Sequence, residues 1–162
     1  MTIFVLDASA IIALEDACDG AGLAVDEILD QLTDLAIAAE LTCPPSAVKD
    51  CLRLGAGEAA TRWLRSASGH FGRIDDPWEF METVFSECPD LLDPDDPDDD
   101  PQVAVLALAL YVTENSAGVE VIVVTDQWAE NPIKSPLGPC AELVGVPAMN
   151  VGQFLTRLSQ PK

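Results

Sequence analysis

The sequence predicts an α/β fold in which a mainly parallel sheet is covered by helices on both faces. Three observations carry that expectation. Residues 2–6 and 119–124 are short, continuous apolar runs rich in β-forming side chains, the pattern of strands buried on both faces. Segments with helical spacing lie between the apolar runs, as crossovers between parallel strands require. Of the 162 residues, 49% are hydrophobic, enough for a buried core despite a formal charge of −20. No internal repeat is visible, and the length suits one domain spanning 1–162.

The elements follow in order. The first strand, 2–6, ends at Asp7, and 9–14 reads as helix. Gly20 and Gly22 break the chain. Residues 23–39 place Val25, Ile28, Leu29, Leu32, Leu35 and Ala36 on one stripe, with Asp26, Glu27, Asp30 and Asp34 mostly off it. Residues 41–43 form a second strand, stopped by Pro44 and Pro45, which open a helix closed by Gly55. Helices are expected over 58–67 and from Asp76-Pro77 to about Cys88. Residues 89–101 alternate Pro with Asp and must be loop. Pro101 then suits the first position of a helix over 101–114, with Asp100 as its cap. A strand at 119–124 leads to Thr125-Asp126. A helix over 139–144, a strand over 146–149 and a last helix over 151–159, capped by Asn150, complete the chain.

Composition narrows function. A disordered acidic tail would be poor in apolar residues, and this chain is not. The charge argues against holding a nucleic-acid backbone by bulk electrostatics, though not against reaching phosphate through bound metal ions. The N-terminus has no basic region ahead of its apolar residues and does not read as a signal peptide. The longest apolar run, 103–112, is too short to span a bilayer, so no membrane partner is expected. Five widely spaced cysteines without a C-x-x-C pair read as free thiols of a cytoplasmic protein. His70, in a turn-like Ser-Gly-His-Phe-Gly stretch, reads as surface.

In an open parallel sheet, functional groups gather at the carboxyl ends of the strands. Asp7 and Asp126 follow two of these ends, and Asp100 precedes the helix that leads into the third strand. Converging carboxylates repel one another and need a cation, and an all-oxygen set selects Mg²⁺ or Mn²⁺. Such an ion polarises a phosphoryl oxygen and generates hydroxide at neutral pH. The plainer reading of each Asp taken alone is a helix cap or turn former.

These segments together resemble the PIN-domain family over nearly the whole chain. The residues that carry the resemblance are Phe4-Val5-Leu6-Asp7-Ala8-Ser9, Asp100-Pro101-Gln102 with the apolar helix behind it, Val121-Ile122-Val123-Val124-Thr125-Asp126, and the stretch from Pro139 to Asn150 and Leu155. The resemblance implies a PIN-like three-layer sandwich and a metal-dependent nuclease cutting RNA, often the toxin of a toxin–antitoxin module. It implies Asp7 and Asp100 as metal ligands with Asp126 assisting, Ser9 supporting Asp7, and Thr125 orienting the site. Its implied partners are RNA, an antitoxin-like protein and a second copy of the chain.

Two positions depart from the family pattern. The helix after the second strand usually carries Glu in V-x-x-E-L, where this chain has Val48-Lys49-Asp50-Cys51-Leu52. Asp50 is one residue off, about 100° around a helix. Two residues past Thr125, where an acid or Asn is usual, stands Gln127. Thiolate is a poor Mg²⁺ ligand, so a non-catalytic protein that keeps the fold to bind protein or RNA is the alternative. Glu40 is a weaker substitute for the missing acid. A phosphatase-type hydrolase with Asp7 as nucleophile would want D-x-D, and the second position here is Ser9.

The remaining charge is patterned. The acidic run at 93–100 fails as an EF-hand, which read from Asp93 needs Gly at 98 and Glu at 104 where the chain has Asp98 and Ala104. A solvated loop is the plain reading. Residues 49–73 instead hold Lys49, Arg53, Arg62, Arg65 and Arg73 against only Asp50 and Glu58. This is where an RNA backbone would be met, with Trp63 either stacking on a base or buried in the core.

Overall fold

The computed structural model of the chain describes residues 1–72, 78–91, 101–130 and 132–160. Four parallel strands form one sheet: β1 (Thr2–Leu6), β2 (Leu41–Thr42), β3 (Glu120–Val124) and β4 (Ala148–Met149), in the spatial order β2-β1-β3-β4. β1 and β3 pair in register over their whole length, from Thr2 opposite Glu120 to Leu6 opposite Val124. The two edge strands are only two residues long, which limits the open edges of the sheet.

Eight α-helices are found among the described residues: α1 (Ala8–Gly20), α2 (Val25–Ile37), α3 (Pro45–Leu54), α4 (Glu58–Ala67), α5 (Trp78–Glu87), α6 (Pro101–Asn115), α7 (Leu137–Leu143) and α8 (Val151–Leu158). They cover both faces of the sheet, so the α/β three-layer sandwich expected from the sequence is the observed architecture. Phe4 of β1 meets Phe154 of α8 edge-on at 4.9 Å. α8 packs on α1, which also packs on α2 and α4. On the other side α6 lies against β1 and β3 and is itself flanked by α3 and α5. That position explains its sequence. Val103, Val105, Leu106, Ala107, Leu108 and Ala109 are all buried, as a helix surrounded by protein demands.

Most boundaries agree with the sequence, and the differences have local causes. α1 runs on to Gly20 because Leu14 and Cys18, one turn apart, are both buried. α7 begins two residues early, at Leu137. Its Pro139 is tolerated because N–H groups in a first turn have no intrahelical partner. The N-cap of α4 is Gly57, which has no side chain to accept a hydrogen bond. Glu15 of α1 supplies the acceptor, bonding the Ala59 N–H at 3.2 Å. Residues 89–91 form a short 3₁₀ turn. The expected cap pairs Asp76-Pro77 and Asp100-Pro101 fall wholly or partly outside the described residues. All five cysteines are buried free thiols. Among the described residues no helix is long and apolar enough to cross a membrane.

Candidate active site at the carboxyl end of the sheet

The strand order changes direction between β1 and β3, since the crossover from β1 leads outward to β2 on one side and the chain later returns to β3 on the other. A crevice opens at the carboxyl ends of such a strand pair. Asp7 and Thr125 are the residues immediately past those two ends.

Asp7 is 2% exposed and caps α1, accepting the Ala10 N–H at 2.8 Å through Oδ1. Thr125 Oγ1 donates to Oδ2 at 2.6 Å, and Ser9 Oγ lies 2.8 Å from both carboxylate oxygens. The orientation of the hydroxyls is fixed from the far side. The Asp126 N–H donates to Ser9 Oγ at 2.9 Å, and the Gln127 N–H to Thr125 Oγ1 at 3.1 Å. Each hydroxyl accepts from the backbone after β3, so its own proton is directed toward Asp7. The D-x-S and T-D patterns of the sequence are therefore one hydrogen-bonded unit around the Asp7 carboxylate.

Three donors and a helix N-terminus all favour a charged Asp7, yet burial outweighs them. The carboxyl is raised from 3.8 to about 6, chiefly by loss of water, with a smaller push from the Asp126 charge. Two thiols share this environment. Cys51 is fully buried and its thiol is pushed up to about 11, first by burial, then by the charges of Asp50 and Asp7. The Cys43 thiol is raised well above its usual range by burial, by Asp7 and by Cys51. Cys51 thus lies within electrostatic reach of Asp7. Asp50 is half-buried on α3 and bonded to Arg53. Asp126 is exposed at the rim, and Gln127 is half-buried beside it. Asp100 lies outside the described residues, and the helix it precedes starts with buried Pro101 and Gln102.

Among the described residues no three His, Cys, Asp or Glu side chains come together to hold a metal ion. The oxygen donors at hand are the Asp7 carboxylate and, at the rim, Asp126. This set suits a hard divalent ion that keeps most of its waters, which is the habit of Mg²⁺. It does not suit a zinc-type cage, which wants four protein ligands where no three His, Cys, Asp or Glu side chains converge among the described residues.

Two residues not singled out in the sequence brace the loop after β3. Trp128 Nε1 donates to the Thr125 carbonyl at 2.8 Å. Gly138 lies against the Trp128 ring, where a Cβ would come within 2.7 Å of three ring atoms, and its N–H donates to the Gln127 carbonyl at 3.0 Å.

The basic residues divide between two helices. Lys49 and Arg53 are on α3, and Arg62 and Arg65 on α4. Arg53 is paired with Asp50, and Arg62 stands 4.0 Å from Glu58. Trp63 is core: it is 6% exposed, bonds Thr33 Oγ1 through Nε1 at 3.0 Å, and packs edge-on against Phe71. Its burial removes it as a platform for an RNA base. No family model and no curated protein matches the chain.

Proposed function

We propose that the chain is a metal-dependent ribonuclease of the PIN-domain type, a single-domain toxin-like protein of the cytoplasm that hydrolyses RNA phosphodiester bonds. The observation that carries this reading is the buried Asp7 at the carboxyl end of β1, braced by two hydroxyls whose protons are directed onto it. A structural cap would satisfy the Ala10 N–H alone. Building a second and third donor around a desolvated carboxylate preorganises an anion, which is what a cation site needs.

Asp7 would hold Mg²⁺ or Mn²⁺ directly, with Asp126 assisting at the rim and Asp100 as a further ligand. The ion, when bound, polarises a phosphoryl oxygen and supplies hydroxide from water. Ser9 and Thr125 hold the Asp7 oxygens in place. Cys43 and Cys51, buried within electrostatic reach of Asp7, stay neutral. Lys49, Arg53, Arg62 and Arg65 are the groups available to an RNA backbone, and Asp50 sets the position of Arg53. The partners of this reading are RNA, an antitoxin-like protein and a second copy of the chain. The test is Mn²⁺-dependent cleavage of single-stranded RNA by the wild type and by Asp7→Ala. We expect a loss of at least a hundredfold on removing a group that organises the reacting charge, and unchanged cleavage refutes the mechanism.

The second reading, a non-catalytic PIN-like protein that binds protein or RNA, is favoured by one specific observation: the buried group within electrostatic reach of Asp7 from α3 is the neutral Cys51 thiol, at the position where the resemblance would call for Glu. Calorimetric titration with Mn²⁺ separates the two. Heat of binding that disappears in Asp7→Ala supports the nuclease, and no heat at millimolar metal supports the binding protein.

A further inference from the structure

The amino end of the sheet, away from Asp7, carries a different feature. A groove of about 800 Å³ lies between α2 and α8, with Phe4, Leu35 and Leu158 in its lining. A second hollow of about 480 Å³ continues it along α2 and shares Gln31, Leu158 and Gln160 with the first. The two hollows together follow α2 from its N-cap, Ala24, to its C-cap, Ala38.

Five of the lining positions along α2 are regularly spaced. Ala24, Ile28, Gln31, Leu35 and Ala38 succeed one another by four, three, four and three residues, with Ile28 buried beneath the others. That alternation is the seam of a helix that packs along another helix. Glu27 and Asp34 line the same path one heptad apart, and Glu40 stands at its end by β2. Arg157, the cation in the lining, is paired with Glu120 at 2.8 Å and does not offset these acids.

We propose that this groove takes a basic amphipathic helix of a partner protein, laid along α2. Its apolar side chains would face Leu35 and Leu158, and its Lys or Arg side chains would face Glu27 and Asp34. The size agrees. The 13 residues of α2 span about 20 Å, room for some four turns of a partner helix. A second copy of this chain is the wrong occupant, because it would set acid against acid between two molecules of charge −20. The groove begins at Thr2, the opposite end of β1 from Asp7. The proposal therefore stands without the nuclease reading.

The test uses the full chain and two fluorescein-labelled helical peptides of about 18 residues. Both carry Leu at heptad seam positions, and the flanking positions hold Lys in one peptide and Glu in the other. Fluorescence anisotropy should show the Lys peptide binding at least about tenfold more tightly than the Glu peptide. Two variants locate the contact. Glu27→Lys with Asp34→Lys should reverse the preference, and Ala38→Trp, which fills the groove, should weaken both peptides. The control reverses two exposed acids on α1, Asp16→Lys with Asp19→Lys, and should leave the preference in place. An equal effect of the control and the groove variants, or no binding of the Lys peptide, overturns the proposal.

Discussion

The two ends of the sheet treat a carboxylate in opposite ways. Asp7, at the carboxyl end, accepts from Thr125, Ser9 and the Ala10 N–H, and still titrates near 6. Glu120, at the amino end, accepts from Arg157 and Thr2, and its carboxyl is held below the usual range, chiefly by the Arg157 hydrogen bond. Hydrogen bonds favour the charged form at both places. The difference is water. Glu120 keeps about half of its side chain in solvent (49% exposed), whereas Asp7 is 2% exposed and is bonded by neutral donors. Donors orient a charge, but at Asp7 they do not replace the lost hydration. One end is arranged around an unneutralised anion, and the other around an ordinary surface ion pair beside an open groove.

The largest expected effect comes from removing that buried anion. Asp7 has a folded-state pKa above its unfolded value of 3.8, so the folded state binds its proton more tightly. Its cost to stability is absent below about pH 4, grows as pH rises, and is complete above about pH 6. The full cost is about 3 kcal/mol. Asp7→Asn keeps the shape and removes the charge, so in chelator it should be about 2–3 kcal/mol more stable than the wild type at pH 7–8. Near pH 4 the two should be alike. Urea denaturation of both proteins across pH 4–8 measures the difference. A difference independent of pH would mean that burial does not govern Asp7.

A smaller effect should follow from disturbing the loop that orients the hydroxyls. Gly138→Ala places a methyl group against the Trp128 ring, at 2.7 Å from three of its atoms. Overpacking of this kind costs about 1–3 kcal/mol. Because Trp128 also bonds the Thr125 carbonyl, the loss should come with a shift in tryptophan emission. In the nuclease reading it should also weaken Mn²⁺ binding. Wild-type stability and emission would show that the loop yields without strain.

These residues differ in how far the sequence announces them. Asp7, Ser9 and Thr125 are legible because their contacts are local to two strand ends, and a strand end in a parallel sheet is where polar groups must gather. Cys51 is legible only as a departure from the family pattern; its burial together with Ala47, one turn earlier, comes from the packing of α3. Trp63 belongs to the stripe Ala60, Trp63, Leu64 and Ala67, buried at helical spacing. The stripe argues for core, and the flanking Arg62 and Arg65 obscured it. The Trp128–Gly138 contact closes a ten-residue loop without periodicity, so nothing in the sequence pairs them. The groove is hidden for another reason. Periodicity shows that α2 has an apolar stripe, but only the placement of α8 decides that Leu35 is left partly uncovered.

The smallest effect tests the amino end of the sheet. Arg157 bonds Glu120 at 2.8 Å and Thr2 at 3.0 Å, and its guanidinium lies 5.8 Å from the centre of the Phe4 ring. An exposed ion pair contributes about 0.2–1 kcal/mol, and the ring contact about 0.5–1 kcal/mol. Glu120→Gln removes the charge and leaves the arginine over the ring, so it should cost no more than about 0.5 kcal/mol, and less in high salt. Arg157→Ala loses both contacts and should cost about 1 kcal/mol, with a part that salt does not remove. The pH dependence has the opposite sign to that of Asp7. Glu120 has a lowered carboxyl, so its contribution is present above the usual 4.5 and is lost as pH falls through the folded value. If Glu120→Gln and Arg157→Ala cost the same at every salt concentration, the guanidinium adds nothing over Phe4. The amino end would then be held by charge pairing alone.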